Sequence, residues 1–364
     1  MFYDMNKWYS GCLAVLFCAG CSTAPAPEGA AFDWEANETL LPHRLLRTDG
    51  PLGGINSLLA TDSTLIVSCI DTDPICTKFA IRGDSLVETD RFLHKGRGPA
   101  EALWYAEMQY FPDDSSCCLF GYTNGDNYRF RFPMNDPALI REPFRWERQP
   151  VMKRDLGACC QLRFADSLHF IAQRFDLPDD MFWYGTSDTL YPLGIPYPDD
   201  GNRAGGIAKA GVYTGWLAKH PAEPKFLYAT RNSGKYAFIF TVDTARHTVA
   251  DRHLLLNEYP VYEVLADGMN AVPKPESPLP VRCAVSKDHI FLLYIGGTYE
   301  HPASGGMYSD RIRVYDWEGR PVRSFRLDKP IFGLYIDTDG SCLYGSAIDR
   351  ETAEPQLLRF RLPE

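Results

Sequence analysis

The chain reads as all-β, built from a repeated four-stranded unit, on three observations. The first is composition: aromatic residues make up 13%, and 29 glycines and 27 prolines punctuate 364 residues with few runs of helical period. That is the signature of many short strands separated by turns. The second is recurrence. Four strand-like runs precede Lys95-Gly96-Arg97-Gly98-Pro99-Ala100-Glu101, and the same order of runs begins again after it. The third is spacing: the apolar anchors Leu65, Leu119, Leu168, Leu227, Ile290 and Leu343 lie 54, 49, 59, 63 and 53 residues apart by subtraction. Four strands plus loops at that interval match the period of propeller blades.

The first unit places strands at 55–60, 65–70, 76–82 and 86–93, turning at Asp62-Ser63 and Gly83-Asp84, with alternation visible in Lys78-Phe79-Ala80-Ile81. The second places them at 105–111, 117–122, 128–132 and 144–148, with Asn124-Gly125 as a hairpin turn. The third runs through 160–164, 168–173, 181–186 and 189–193, the fourth through 213–217, 226–230, 236–242 and 248–256, and the fifth through 281–285, 290–295, 312–317 and 322–327. A sixth offers only three, at 331–336, 343–347 and 356–362. The unassigned run 43–48 can supply the missing fourth strand and close the ring, which removes exposed sheet edges. Residues 43–364 are therefore expected to form a six-bladed β-propeller closed by an N-terminal strand. The competing architecture, a pair of β-sandwiches, would call for a linker-like break in composition, and none divides the chain.

Residues 1–20 are set apart as an export signal. Leu13-Ala14-Val15-Leu16-Phe17 is too short to span a bilayer, is preceded by Lys7 and is followed by small residues. Starting at Met5 would give a cleaner leader, free of Asp4. Cys18-Ala19-Gly20-Cys21 has the form of a lipobox, in which small residues expose the bond before a cysteine that receives lipid; an ordinary secretory signal with Cys21 incidental is the other reading. Residues 21–42, rich in Pro and Ala from Ser22 to Gly29, read as a lipidated cysteine and flexible tether. The net charge of -10 and the lack of a basic cluster exclude a nucleic-acid surface. Of eleven cysteines, eight remain after Cys12, Cys18 and Cys21. Cys69 and Cys76 flank the turn at 71–74 and could pair across a hairpin in an oxidising compartment, whereas the others sit in apolar runs where buried thiols are expected.

The lipobox, the stretch from Gly96 to Glu101, and the ending from Tyr315-Asp316-Trp317-Glu318-Gly319 through Leu343-Tyr344-Gly345 to Leu358-Arg359-Phe360-Arg361-Leu362-Pro363 together resemble the TolB-like six-bladed propeller lipoproteins of Bacteroidetes. The resemblance covers nearly all of the mature chain. It implies the propeller fold and lipid attachment at Cys21, and it carries no catalytic residue with it.

Long loops at 95–101, 195–211, 257–280 and 296–310 are expected on one face, where binding residues concentrate on a rigid scaffold. Lys95, Arg97, Arg203, Lys209, Tyr299 and His301 are the ligand-binding candidates. The glycines beside Lys95 and Arg97 could let backbone N–H groups cradle an anion, or could simply shape a turn with both cations in solvent. No GxSxG, HExxH or Walker pattern occurs. Asp71-Thr72-Asp73 and Asp337-Thr338-Asp339-Gly340 lack the later Glu of a calcium loop and read as turns. The triplets beginning at Asp62, Asp84, Asp166, Asp188 and Asp243 fit either an O-glycosylation pattern of exported Bacteroidetes proteins or a turn leading into a strand.

These features lead to a lipid-anchored, monomeric outer-membrane lipoprotein of the cell envelope, without cofactor or metal, binding a protein, peptide or glycan without turnover. The alternative is a metal-dependent hydrolase or lyase using channel carboxylates such as Glu107 and Glu263. A purely structural envelope component is a third class. A periplasmic orientation is expected because Ser22-Thr23-Ala24-Pro25-Ala26-Pro27 precedes the first acid, Glu28.

Overall fold

The computed structural model describes residues 32–363 apart from 51, 70, 99–100, 104–106, 122–126, 135, 143–144, 147, 154–155 and 177–179. The leader, Cys21 and Asn124-Gly125 lie outside the described residues. Residues Met1–Asp33 form a separate unit, described only at 32 and 33, and Trp34–Glu364 form the folded one.

The chain enters through β1 (Glu38–Leu41) and β2 (His43–Thr48), then forms β3 (Ile55–Ala60), β4 (Thr64–Cys69), β5 (Cys76–Arg82) and β6 (Ser85–Phe92). A short pair, β7 (His94–Lys95) and β8 (Glu101–Ala102), leads to β9 (Glu107–Phe111), β10 (Ser116–Gly121) and β11 (Tyr128–Pro133), and then to α1 (Pro137–Arg141). Next come β12 (Cys159–Phe164), β13 (Phe170–Arg174), β14 (Trp183–Gly185) and β15 (Leu190–Pro192), followed by α2 (Gly206–Val212). The remaining strands are β16 (Gly215–Lys219), β17 (Lys225–Thr230), β18 (Lys235–Asp243), β19 (Thr248–Glu258), the pair β20 (Tyr262–Val264) and β21 (Ala271–Pro273), and β22 (Val281–Val285), β23 (His289–Tyr294), β24 (Ser309–Asp316) and β25 (Pro321–Ile331). β26 (Gly333–Ile336), β27 (Cys342–Ile348) and β28 (Pro355–Arg361) complete the fold.

The strands form antiparallel meanders in a propeller arrangement: β9 to β11, β12 to β15, β16 to β19, β22 to β25, and an eight-stranded sheet ordered β26-β27-β28-β2-β6-β5-β4-β3. The first strand of each meander lies innermost. Alternation sends successive residues to opposite faces, so each sheet contributes to two apolar layers. Cys117, Leu119, Phe130 and Phe132 face Leu59, Ile66 and Phe92 of the preceding strands, while Cys118 and Phe120 face Leu162, Phe164 and Phe170 of the next.

Side-chain amides stitch consecutive sheets where no strand ladder can. Gln109 Nε2 donates to the Phe164 carbonyl (2.7 Å) and its Oε1 accepts the Phe164 N–H (2.9 Å). Gln173 repeats the device, donating to the Tyr213 carbonyl (2.6 Å) and accepting the Gly215 N–H (3.2 Å). Each amide thus supplies the donor and acceptor of a missing β-bridge. The circle closes where the Thr338 N–H donates to the Ala60 carbonyl (2.9 Å).

The N-terminal strands act as clasps. As the sequence predicts, β2 pairs antiparallel with β28; it also pairs parallel with β6, joining two meanders at their outer edges. Arg44 and Arg359 both reach the Asp84 carboxylate across this seam. Residues 38–41, expected within the tether, instead form β1, paired parallel with β25. Their sequence Glu-Thr-Leu-Leu holds one buried leucine, Leu41, whose burial contributes roughly 1.5–3 kcal/mol.

Two further expectations change. Cys69 and Cys76 are free thiols. The register pairs Cys76 with Ser68, so Cys69 points to the opposite sheet face, and the two sulfurs enter different apolar layers. Of the strand expected at 144–148, residues 144 and 147 lie outside the described residues and 145, 146 and 148 are not in a strand; an isolated bridge joins Arg129 to Gln149 just beyond it. Trp146 in that run stacks on Phe132 at 4.4 Å, and α1 packs against β6 and β11.

Candidate functional site at the channel mouth

The six predicted binding residues do not converge: among the described residues no hydrogen bond or ion pair joins any two of them. Lys95 and Arg97 are exposed, but the cradle between them is already filled. The Gly98 N–H donates to Glu101 Oε2 (2.8 Å), and a Cβ on Gly96 would lie 1.9 Å from the same oxygen. Glu101 therefore plays the part of the anion. Arg148 Nη1 donates to the Gly98 and Glu101 carbonyls and fixes the turn.

Lys209 is structural too. From α2 it pairs with Asp200 at 3.1 Å, a carboxylate only 1% exposed that also accepts the hydroxyls of Tyr213 and Tyr262 at 3.0 Å each. Burial pushes the Asp200 carboxyl up, but the Asn202 N–H, Lys209 and the two tyrosines outweigh it and hold it below the ordinary carboxylate range. Arg203 is exposed nearby, and His301 is exposed beside Glu300.

The loops fare better than the individual side chains. Asn202 Nδ2 donates to the Tyr262 carbonyl (3.3 Å), and the N–H groups of Tyr299 and Glu300 donate to the Ser277 and Pro275 carbonyls (3.2 and 2.9 Å). Three of the four long loops are thereby knitted together. Tyr299, whose hydroxyl donates to the Asn232 carbonyl, is the candidate close enough to Arg282 to feel its charge. Burial raises its pKa, and the positive charge of Arg282 opposes that rise.

Below it lies a cavity of about 340 Å³ at the N-terminal ends of the innermost strands, lined by Asn56, Glu107, Arg163, Trp216, Arg282, Phe332 and Tyr335 among others. Arg282 Nε donates to the Phe332 carbonyl (3.3 Å) and Nη1 to the Arg231 carbonyl (3.2 Å). The guanidinium groups of Arg282 and Arg231 lie over the Trp216 ring, 5.1 and 5.4 Å from its centroid. Burial and then the Arg231 charge pull the Arg282 pKa down. No carboxylate forms an ion pair with either arginine among the described residues. The Trp216 Nε1 and Asn56 Nδ2 donors are buried with no partner. The cavity's one carboxylate, Glu107, pairs with Arg163 at 3.0 Å.

A second cavity of about 240 Å³ continues the channel toward the opposite face, sharing Leu58, Met108, Arg163, Cys283, Leu334 and Tyr335 with the first. Its His220 is tied into a turn, Nδ1 accepting the N–H groups of Ala222 and Glu223 (3.0 and 2.9 Å). Asp337 there accepts the Ser341 and Cys342 N–H groups (2.8 and 3.0 Å), so Asp337 to Gly340 is a turn, as expected. Asp166 and Asp243 likewise cap turns through N–H groups two and three residues on. Glu263, on β20, is exposed away from the channel, and no three His, Cys, Asp or Glu side chains gather among the described residues.

Sequence reasoning missed Arg282 and Trp216. Both fall in runs read as the first strand of a unit, and a polar or amphipathic side chain on an innermost strand is the signal that would have found them.

No family profile matches the chain, and no curated protein does. Solved structures do resemble it. A Bacteroides fragilis protein provisionally described as exported superposes with a TM-score of 0.51 at 11% identity, covering 89% of this chain and 95% of that one. An auxiliary nutrient binding protein from Bacteroides thetaiotaomicron gives 0.49 at 11% identity, over 86% and 70% of the two chains. The β-propeller domain of Cps50 (Swd1) from Myceliophteria thermophila gives 0.43 at 10%, over 88% and 100%. The likeness is one of fold.

Proposed function

We propose that this chain is an exported, lipid-anchored propeller of the TolB-like kind that binds a protein, peptide or glycan at its channel mouth without turnover. Six blades fit the topology if the eight-stranded sheet is divided at the parallel β2–β6 contact into two four-stranded halves. Lipid attachment at Cys21 and a periplasmic orientation rest on the leader and the residues after it. The observation that carries the binding reading is the mouth itself: a cavity of about 340 Å³ with two arginines on Trp216 and unspent buried donors, beneath three interlocked loops. That volume falls within the roughly 300–1,000 Å³ range of small-ligand sites, with the same mix of apolar walls and few polar groups. A wider cleft of about 580 Å³ beside Lys329 and Asp349 is a weaker candidate. There Lys329 bonds Gln356, and Asp349 accepts from Glu351, Thr352 and Gln356.

The test is thermal unfolding of the intact chain against a panel of peptides and oligosaccharides. A rise in midpoint that Arg282→Gln abolishes supports binding at the mouth. Conversion of any panel member to product, lost in Glu107→Gln, would replace binding with catalysis.

A further inference from the structure

Three buried polar atoms at the channel mouth are unspent: two N–H donors and the Ser346 hydroxyl, which both donates and accepts. Trp216 Nε1 and Asn56 Nδ2 are buried and unpartnered. Arg282 spends two of its five N–H groups on the Phe332 and Arg231 carbonyls, and Arg231 adds a second positive charge over the same indole. The carboxylate there is committed: Glu107 already pairs with Arg163. The balance is uneven. Two guanidinium groups drawn together on one ring repel unless a negative charge sits between or beside them. The apolar wall formed by Leu58, Met108 and Leu334 suits the body of an organic molecule rather than a bare ion.

We infer that the channel mouth is an oxyanion site, seating the carboxylate of a small organic acid on Arg282 with the Arg231 charge beside it. This rests on the binding reading above and narrows it to a ligand class. Arg282 is the anchor, because a guanidinium presents paired N–H groups that match a carboxylate. The Trp216 ring carries both arginines.

The experiment titrates the intact chain with sodium glucuronate, glucose, sodium glutamate and inorganic phosphate at constant ionic strength, following unfolding midpoint and tryptophan fluorescence. Glucuronate or glutamate should raise the midpoint and change the fluorescence while glucose does neither. Arg282→Gln should weaken that binding by about tenfold or more. Arg282→Lys, which keeps the charge if Arg282→Gln fails to fold, should retain part of it. Trp216→Phe should weaken binding and remove the fluorescence change, and Arg203→Gln, outside the site, should leave both intact. Phosphate acting as strongly as the organic acids would support the oxyanion site while assigning it to free phosphate. Equal, Arg282-dependent protection by glucose would overturn the oxyanion class and leave the mouth as a binding site. Failure of every anion to exceed chloride would overturn the inference, with the peptide and oligosaccharide panel still deciding the broader reading.

Discussion

Lys209→Met separates a ligand-binding lysine from a structural one. The lysine faces a carboxylate whose side chain is 1% exposed, and its own is 15% exposed; removing one partner of such a pair strands a buried charge at a cost of about 3–5 kcal/mol. Asp200 keeps two tyrosine hydroxyls and the Asn202 N–H, so the lower end, about 3 kcal/mol, is expected. With an unfolding entropy of about 2.1 cal/mol/K per residue over roughly 330 residues, that is a midpoint lower by about 4 °C. The sign with pH is fixed by the depressed Asp200 carboxyl. Its stabilisation is present above the unfolded value of about 3.9 and is lost as pH falls through the lower folded value. The gap between parent and variant should therefore close in acid. Circular dichroism melts at neutral and acid pH measure this, and Asp200→Asn added to Lys209→Met should recover part of the loss. A neutral-pH midpoint unchanged in Lys209→Met, or a gap that persists in acid, would refute the reasoning.

Glu101→Ala should cost about 1–2 kcal/mol in urea unfolding, because the Gly98 N–H loses its acceptor; no change would mean that the carboxylate does not fill the loop. Gln173→Leu leaves the Gly215 N–H without its side-chain acceptor, while the Tyr213 carbonyl keeps the Tyr228 hydroxyl, and should cost about 1–3 kcal/mol, a larger loss than at any exposed glutamine. Burial raises the Asp337 carboxyl to about 6, with Asp339 beside it adding to the rise. The folded state then holds a proton that the unfolded chain releases, and stability falls as pH rises from about 4 to 6. Asp337→Asn should flatten that slope, which melts across the window would reveal. Alkylation under denaturing, non-reducing conditions should label both Cys69 and Cys76; protection of the pair would establish a bridge that the two-faced register argues against.

Most of the fold was legible because the repeat fixes it: strands 55–60, 76–82 and 281–285 fall where alternation and turns place them. β1 was hidden because Glu38-Thr39-Leu40-Leu41 is short and follows a proline-rich lead, so only its partner β25 makes it a strand. The candidate site was legible as loops rather than as side chains. The cradle beside Lys95 looked open and Lys209 looked available because a sequence does not reveal that Glu101 folds back onto Gly98 or that Asp200 pairs with α2. Arg282 looked like one residue of a core strand, since only the innermost position of β22 turns that strand toward the channel.

The clasp made by β2 ties the order of synthesis to the moment of closure. His43 pairs with Phe360, and the Trp34 carbonyl accepts the Ser324 hydroxyl. Contacts between such distant residues form late, since loop closure must precede any reward from them. The first strands therefore wait, unpaired at one edge, until β28 has been made. The ring keeps an open edge until its last strand is made, and the clasp is the final part of the fold to form.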